Sequence, residues 1–149
     1  MRSLPARPLL LDTHVWIWVL EGLVAEIGHA AQNQVMEAGA VGKVLVSAIS
    51  VWEVGMLEAR GRVHFSIEIG EWVRRALAAP GVHLAQLTPE IALDSTRLPQ
   101  PVHGDPADRI LIATARRMGA TLVTRDTKIL DYGRQGLLSV IDATPAGGA

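Results

Sequence analysis

Four acidic residues stand where charge is ordinarily excluded. Asp12 closes the apolar run Leu9-Leu10-Leu11, and Glu53 lies inside Ala48-Ile-Ser-Val-Trp-Glu-Val. Asp108 opens the apolar segment Arg109-Ile-Leu-Ile-Ala-Thr-Ala, and Asp126 follows Thr121-Leu-Val-Thr-Arg. An ionised carboxylate beside a core is costly unless something compensates it. Four of them converging on one pocket make a site for a hard divalent cation, Mg²⁺ or Mn²⁺, which takes oxygen ligands and retains water. Without the ion, crowded carboxylates repel, and at least one keeps its proton near neutral pH. With it, a bound water becomes more acidic and charge on a phosphate is neutralised during displacement. Thr13 and Thr124 adjoin these acids. A hydroxyl there can orient a carboxylate or a water, although ordinary strand-end threonines need no such role.

Each acid also has a plainer account. Asp12 can cap a helix starting at His14, and Asp126 one running from Thr127 to Tyr132. Asp105, just before Pro106, is a natural N-cap, and Asp108 favours the same helix end through the macrodipole. Glu53 resists that account. It is mid-helix, and the positions three and four away are Ile49, Ser50, Met56 and Leu57, none of them basic. A solvent-facing glutamate is its ordinary alternative.

The elements that must position these side chains alternate between strand and helix. Short apolar strands are expected at Pro8–Leu11, Lys43–Ser47, Val82–Leu87 and Ala120–Thr124, with a fifth at Leu137–Ile141. Helices are expected at His14–Glu21, Ala25–Ala38, Ala48–Ala59, Ser66–Ala78, Pro89–Arg97, Pro106–Met118 and Lys128–Tyr132. Leu98–Gly104 reads as a loop, and the helix from Pro106 has Pro at its first position and Gly119 just past its end. Val- and Leu-rich strands separated by helices imply an α/β fold, a central parallel sheet of four to five strands covered on both faces. In such sheets the working crevice lies beyond the carboxyl ends of the strands, where strand order reverses. Asp12 and Asp126 both fall at such ends.

With 149 residues and no linker or internal repeat, residues 1–149 read as one domain, with 145–149 a frayed tail. A hydrophobic fraction of 49% is high for this size and implies a filled core plus apolar surface kept for a partner. The lack of cysteine excludes disulfides, thiolate nucleophiles and Cys-based zinc sites, and suits a reducing cytoplasm. Arg2 and Arg7 before an apolar stretch superficially suggest a signal peptide, but Asp12-Thr13-His14 interrupts it. No run approaches the roughly 18 apolar residues of a membrane span. A net charge of −1 is neutral on nucleic acid. Local cations decide that question, and Arg60, Arg62, Arg74, Arg75, Arg116, Arg117, Arg125 and Lys128 are the candidates, against the alternative of solvated helix faces.

Other chemistry finds little support. Gly39-Ala-Val-Gly-Lys-Val echoes a phosphate-binding loop, but Glu37 stands at the first required glycine and Val44 at the required hydroxyl. Histidines 14, 29, 64, 83 and 103 form no close zinc-binding pair. His103 is a candidate phosphate contact near the acids. An aspartyl-phosphate phosphohydrolase, or a phospho-acceptor domain, also places an Asp after its first strand, but would want a second acid where His14 stands.

Four segments together carry a family resemblance. They are Leu9-Leu-Leu-Asp-Thr-His-Val-Trp, Val46-Ser-Ala-Ile-Ser-Val-Trp-Glu-Val, His103-Gly-Asp-Pro-Ala-Asp-Arg-Ile-Leu-Ile-Ala-Thr-Ala and Leu122-Val-Thr-Arg-Asp. In this order the chain resembles the PIN-domain nucleases, and among them the VapC-like toxins of type II toxin–antitoxin pairs. The resemblance implies an α/β/α sandwich and a Mg²⁺- or Mn²⁺-dependent endoribonuclease that hydrolyses RNA to 5′-phosphate and 3′-hydroxyl ends. It assigns Asp12, Glu53, Asp108 and Asp126 as catalytic. Asp12 and Asp108 are the direct metal ligands, while Glu53 and Asp126 hold water or a second ion. Asp105 is assigned mainly to capping. The implied partners are the RNA substrate, a second copy of the chain, and a small DNA-binding antitoxin whose C-terminal segment lies in an apolar groove near the acids. A PIN-like binding module without catalysis is the non-enzymatic alternative. Of the tryptophans on helices, Trp16 and Trp18 cannot share one helix face, so at least one of them is expected to face something other than this core, while Trp52 is expected in the core.

Overall fold

The apolar runs that lead into the acids become neighbouring strands. In the computed structural model, which describes residues 7–100 and 104–146, β1 (Leu9–Leu11), β2 (Val44–Ser47), β3 (Val82–Ala85), β4 (Thr121–Thr124) and β5 (Val140–Asp142) form one sheet. Its order is β3-β2-β1-β4-β5, and every pairing is parallel. β1, β2 and β4 are buried along their whole length, as helix-covered strands must be.

The alternation of a strand sends its side chains to two cores. Leu9, Leu11, Val44, Val46 and Val123 face one, with residues from α1 (Thr13–Leu20), α2 (Val24–Ile27), α3 (His29–Ala40), α4 (Ala48–Ala59) and α5 (Ile69–Leu77). Leu10, Leu45 and Leu122 face the other, with Leu111, Ile112 and Ala115 of α7 (Pro106–Met118) and Ile129 and Tyr132 of α8 (Thr127–Arg134). The remaining helix, α6 (Pro89–Asp94), packs beside α7. The result is the expected α/β/α sandwich with a five-stranded sheet. Among the described residues no helix is long and apolar enough to cross a membrane.

Several boundaries differ from the sequence reading, each for a local reason. The expected single helix Ala25–Ala38 is two helices, because Gly28 adopts φ 72° between α2 and α3. A side chain there would also press on Pro145, whose Cα lies 3.1 Å from the position of a Cβ. α1 starts at Thr13, one residue before the expected His14, because Asp12 itself caps it. α5 starts at Ile69 rather than Ser66, since the Glu68 carboxylate accepts the Gly70 and Glu71 amides at 2.8 and 3.0 Å. Residues 101–103 of the expected loop, His103 among them, and 147–149 of the expected tail lie outside the described residues.

The tryptophans also sort differently. Trp16 is fully buried and meets Trp72 edge-on at 5.1 Å, while Trp72 donates its indole N–H to Glu21 at 3.0 Å. Trp18 is half-buried against the same core. Trp52, expected inside, is 58% exposed. The reason is helical phase: Ser50 and Val54 take the buried face of α4, and residue 52 falls on the opposite side.

Candidate acidic active site

Strand order reverses at β1, with β2 and β3 on one side and β4 and β5 on the other. The switch-point crevice of such a sheet therefore opens between the carboxyl ends of β1 and β4. Asp12 is the residue after β1, and Asp126 is two after β4. The Asp12 amide donates to Val123 O at 3.0 Å, which fastens this acid to the neighbouring strand.

Both oxygens of Asp12 are engaged. Oδ1 accepts the Thr13 amide at 2.7 Å, and Oδ2 accepts the buried Thr124 hydroxyl at 2.6 Å. Thr124 Oγ1 in turn accepts the Asp126 amide at 3.0 Å, so one hydroxyl ties the two crevice acids together. Asp126 caps α8 through a single oxygen, Oδ1, which accepts the Lys128 and Ile129 amides at 2.9 and 3.0 Å. Capping by Asp12 and Asp126 is as expected, and it does not take them from the crevice, because a helix N-terminus at a strand end holds its carboxylate there.

Glu53 comes from the middle of α4, across a gap from β1. The Thr13 hydroxyl donates to Glu53 Oε1 and lies 2.8 Å from Ser50 Oγ. Thr13 has one hydroxyl proton, so when Glu53 takes it the Ser50 hydroxyl donates to Thr13. Ser50 escaped the sequence reading. It is fully buried and sits one turn before Glu53, and a hydroxyl at i−3 from a mid-helix acid in an apolar run was the available signal.

Asp108 lies in the first turn of α7, behind Asp105, whose Oδ1 caps that helix by accepting the Ala107 amide at 3.0 Å. Asp108 is half-buried, and its pKa is pushed up from 3.8 to about 8. Burial is the main cause, followed by the charges of Asp105, Asp12, Asp126 and Glu53. Asp12 is also raised by burial, against the opposing pull of its Thr124 and Thr13 hydrogen bonds. Glu53 is raised by burial, with the Thr13 hydrogen bond lowering it and Asp12 and Asp105 raising it. The four sequence-selected acids therefore share one field, and Asp105 joins them as a fifth while still capping its helix.

Among the described residues, no three His, Cys, Asp or Glu side chains form a ready-made ligand cage. The donor set still suits one kind of ion. It is all oxygen, and burial together with the neighbouring carboxylates pushes Asp108, Asp12 and Glu53 upward, a conflict that a divalent cation relieves. A loosely spaced set fits Mg²⁺ better than a dehydrated cage, since Mg²⁺ keeps several waters and needs only one or two carboxylates.

A parallel sheet with acids at its switch point defines the class, and the chain belongs to the PIN-domain family, whose profile matches residues 9–135. Within that family it is similar to Ribonuclease VapC22 of Mycobacterium tuberculosis, 32% identical over 124 residues that cover 83% of this chain and 91% of that protein. In fold it resembles a toxin–antitoxin complex from Klebsiella pneumoniae, with TM-score 0.58, 24% identity and 92% and 98% of the two chains covered. DNA-bound VapBC from Salmonella typhimurium is similar in the same sense, with TM-score 0.63, 14% identity and coverage of 92% and 98%.

Proposed function

We propose that this protein is the toxin of a toxin–antitoxin pair and a Mg²⁺- or Mn²⁺-dependent endoribonuclease. The observation that carries the reading is the gathering of Asp12, Glu53, Asp108 and Asp126 at the switch point of a PIN-type sheet, close enough that the other three raise the Asp108 carboxyl. Similarity to a protein named Ribonuclease VapC22 supports RNA as the substrate. Resemblance to toxin–antitoxin complexes supports an antitoxin partner.

Asp12 and Asp108 would hold the cation, and Glu53 and Asp126 would hold waters or a second ion. When bound, the metal makes water a better nucleophile and offsets charge on the scissile phosphate. The chain's own residues set the geometry. Thr124 fixes the Asp12 carboxylate against β4. The Ser50–Thr13 pair fixes Glu53, holding an otherwise flexible side chain toward the crevice. The α7 and α8 N-termini, directed at Asp105 and Asp126, add favourable dipoles for anions. The toxin acts in the cytoplasm, as a pair of identical chains.

Purified protein with Mg²⁺ or Mn²⁺ should cut RNA, and Asp12→Asn and Asp108→Asn should stop cleavage while leaving the circular dichroism spectrum unchanged. Cleavage at the parental rate by both variants would sink the assignment. A stable phosphoryl group on Asp12 would favour the aspartyl-phosphate reading. That reading has to displace the Thr124 or Thr13 bond from the attacking oxygen.

A further inference from the structure

Next to the acids lies a second feature that the cleavage chemistry does not use. A cleft of about 420 Å³ runs along α4 to the start of α7, within the size range of small-ligand sites. Glu53 and Asp105 form its inner edge, so it is continuous with the acidic crevice. Its wall is a helical stripe in which Trp52 and Met56 are one turn apart, and Arg60 and Arg62 stand at its outer end. Trp52 is 58% exposed, which leaves most of its ring open to the cleft and solvent.

The two arginines differ from five others in the molecule. Arg74 and Arg75 pair with Glu71, Arg117 with Asp94, Arg125 with Glu26 and Arg134 with Asp131. Among the described residues no carboxylate engages Arg60 or Arg62, and both are exposed. An indole face flanked by unpaired guanidinium groups matches one unpaired nucleotide, a flat base carrying a phosphate.

We propose that this cleft seats one unstacked nucleotide of the RNA beside the cleaved bond, its base on Trp52 and its phosphates drawn by Arg60 and Arg62. The inference rests on the ribonuclease reading and adds how the substrate is held. It favours RNA over a protein segment on charge. A peptide that enters the acidic crevice is best cationic, and the two arginines at the outer end repel it, whereas a polyanion is attracted there. The acids themselves are then reached by the scissile phosphate together with its metal.

The test measures RNA binding separately from cleavage. A fluorescein-labelled single-stranded RNA dodecamer of randomised sequence is titrated in EDTA by anisotropy, and the same proteins are assayed for cleavage with Mn²⁺. Trp52→Ala should weaken binding roughly 5- to 100-fold, the range of one lost base stack. Trp52→Phe, which keeps an aromatic face, should restore most of it. Arg60→Ala combined with Arg62→Ala should reduce the slope of log affinity against log salt by about 1.4, for two single-strand phosphate contacts. Trp52 is exposed, so its variants should melt with the parent. If the parent cuts RNA and Trp52→Ala binds the dodecamer as the parent does, the subsite is wrong and the nuclease reading stands. If Trp52→Ala keeps RNA affinity but loses its antitoxin, the cleft is a protein seat and the proposal is overturned. If the parent neither binds nor cuts RNA, the functional reading falls first and takes this inference with it.

Discussion

Removing divalent cations should make the protein lose stability as pH rises from 5 to 8, and Asp108→Asn should abolish much of that loss. Asp108 has a folded pKa of about 8 against 3.8, so the folded state holds a proton that the unfolded chain has released. An acid raised on folding stabilises fully below its unfolded pKa, and that contribution drains away as pH climbs through the folded one. The window is therefore pH 4 to 8. At 1.36 kcal/mol per pH unit, the step from 3.8 to about 8 sets a ceiling of about 6 kcal/mol. The carboxyl is only half-buried and shares its field with four other acids, so solvent screening leaves about 1–3 kcal/mol. Asp12 and Glu53 are raised too, and act in the same direction.

The assay is thermal unfolding in EDTA at pH 5, 6.5 and 8. For a chain of this length the midpoint should fall by roughly 3–10 °C across the range. Asp108→Asn should show a flatter profile and melt above the parent at pH 8, an active-site loss that gains stability. Mg²⁺ should recover the parent at pH 8 and do little for the variant, because the ion binds in place of the proton. Acids with depressed pKa values do not blur this window. Glu71, lowered by Arg75 and Arg74, Asp94, lowered by Arg117, and Asp142, lowered by Thr144, lose their contributions only in more acidic solution. A midpoint that rises between pH 5 and 8 in EDTA would refute the reasoning, since it would mean the acids are not repelling one another.

Thr124→Val should cut cleavage roughly 10- to 100-fold, as loss of a carboxylate-orienting partner does, and cost about 1–3 kcal/mol in urea unfolding, because it leaves the Asp126 amide without its acceptor. Ser50→Ala should lower cleavage through a loosened Glu53 while leaving RNA affinity in EDTA unchanged, and a parental rate would remove Ser50 from the site. Gly81→Ala should destabilise by about 2–4 kcal/mol or prevent folding, since φ is 81° and the added carbon would fall 1.9 Å from Gly39 O, which urea unfolding or soluble yield will report.

What was legible in the chain depended on how far apart its causes lay. The strands were readable because Leu9-Leu10-Leu11, Val44-Leu45-Val46 and Leu122-Val123 are apolar on both faces, which only a helix-covered parallel strand requires. The crevice acids were readable because a strand end and a helix start are both written locally, and Asp12 and Asp126 satisfy both at once. Sequence reasoning failed where one residue's setting is supplied from elsewhere. Gly28 breaks its helix at a place where Pro145, distant in sequence, packs against it. Ser50 carries only the weak local signal of its spacing from Glu53, and its partner Thr13 comes from β1's end, 37 positions away in sequence. Trp52 looked like core because its neighbours are apolar, and helical phase alone set it outside. That last failure bears on function. Trp52 stands 58% exposed on the helix that also carries Glu53, so most of its ring lies outside the core. That exposure is what the proposed stacking of a base on Trp52 uses, and the Trp52→Ala and Trp52→Phe pair separates it from a seat for protein.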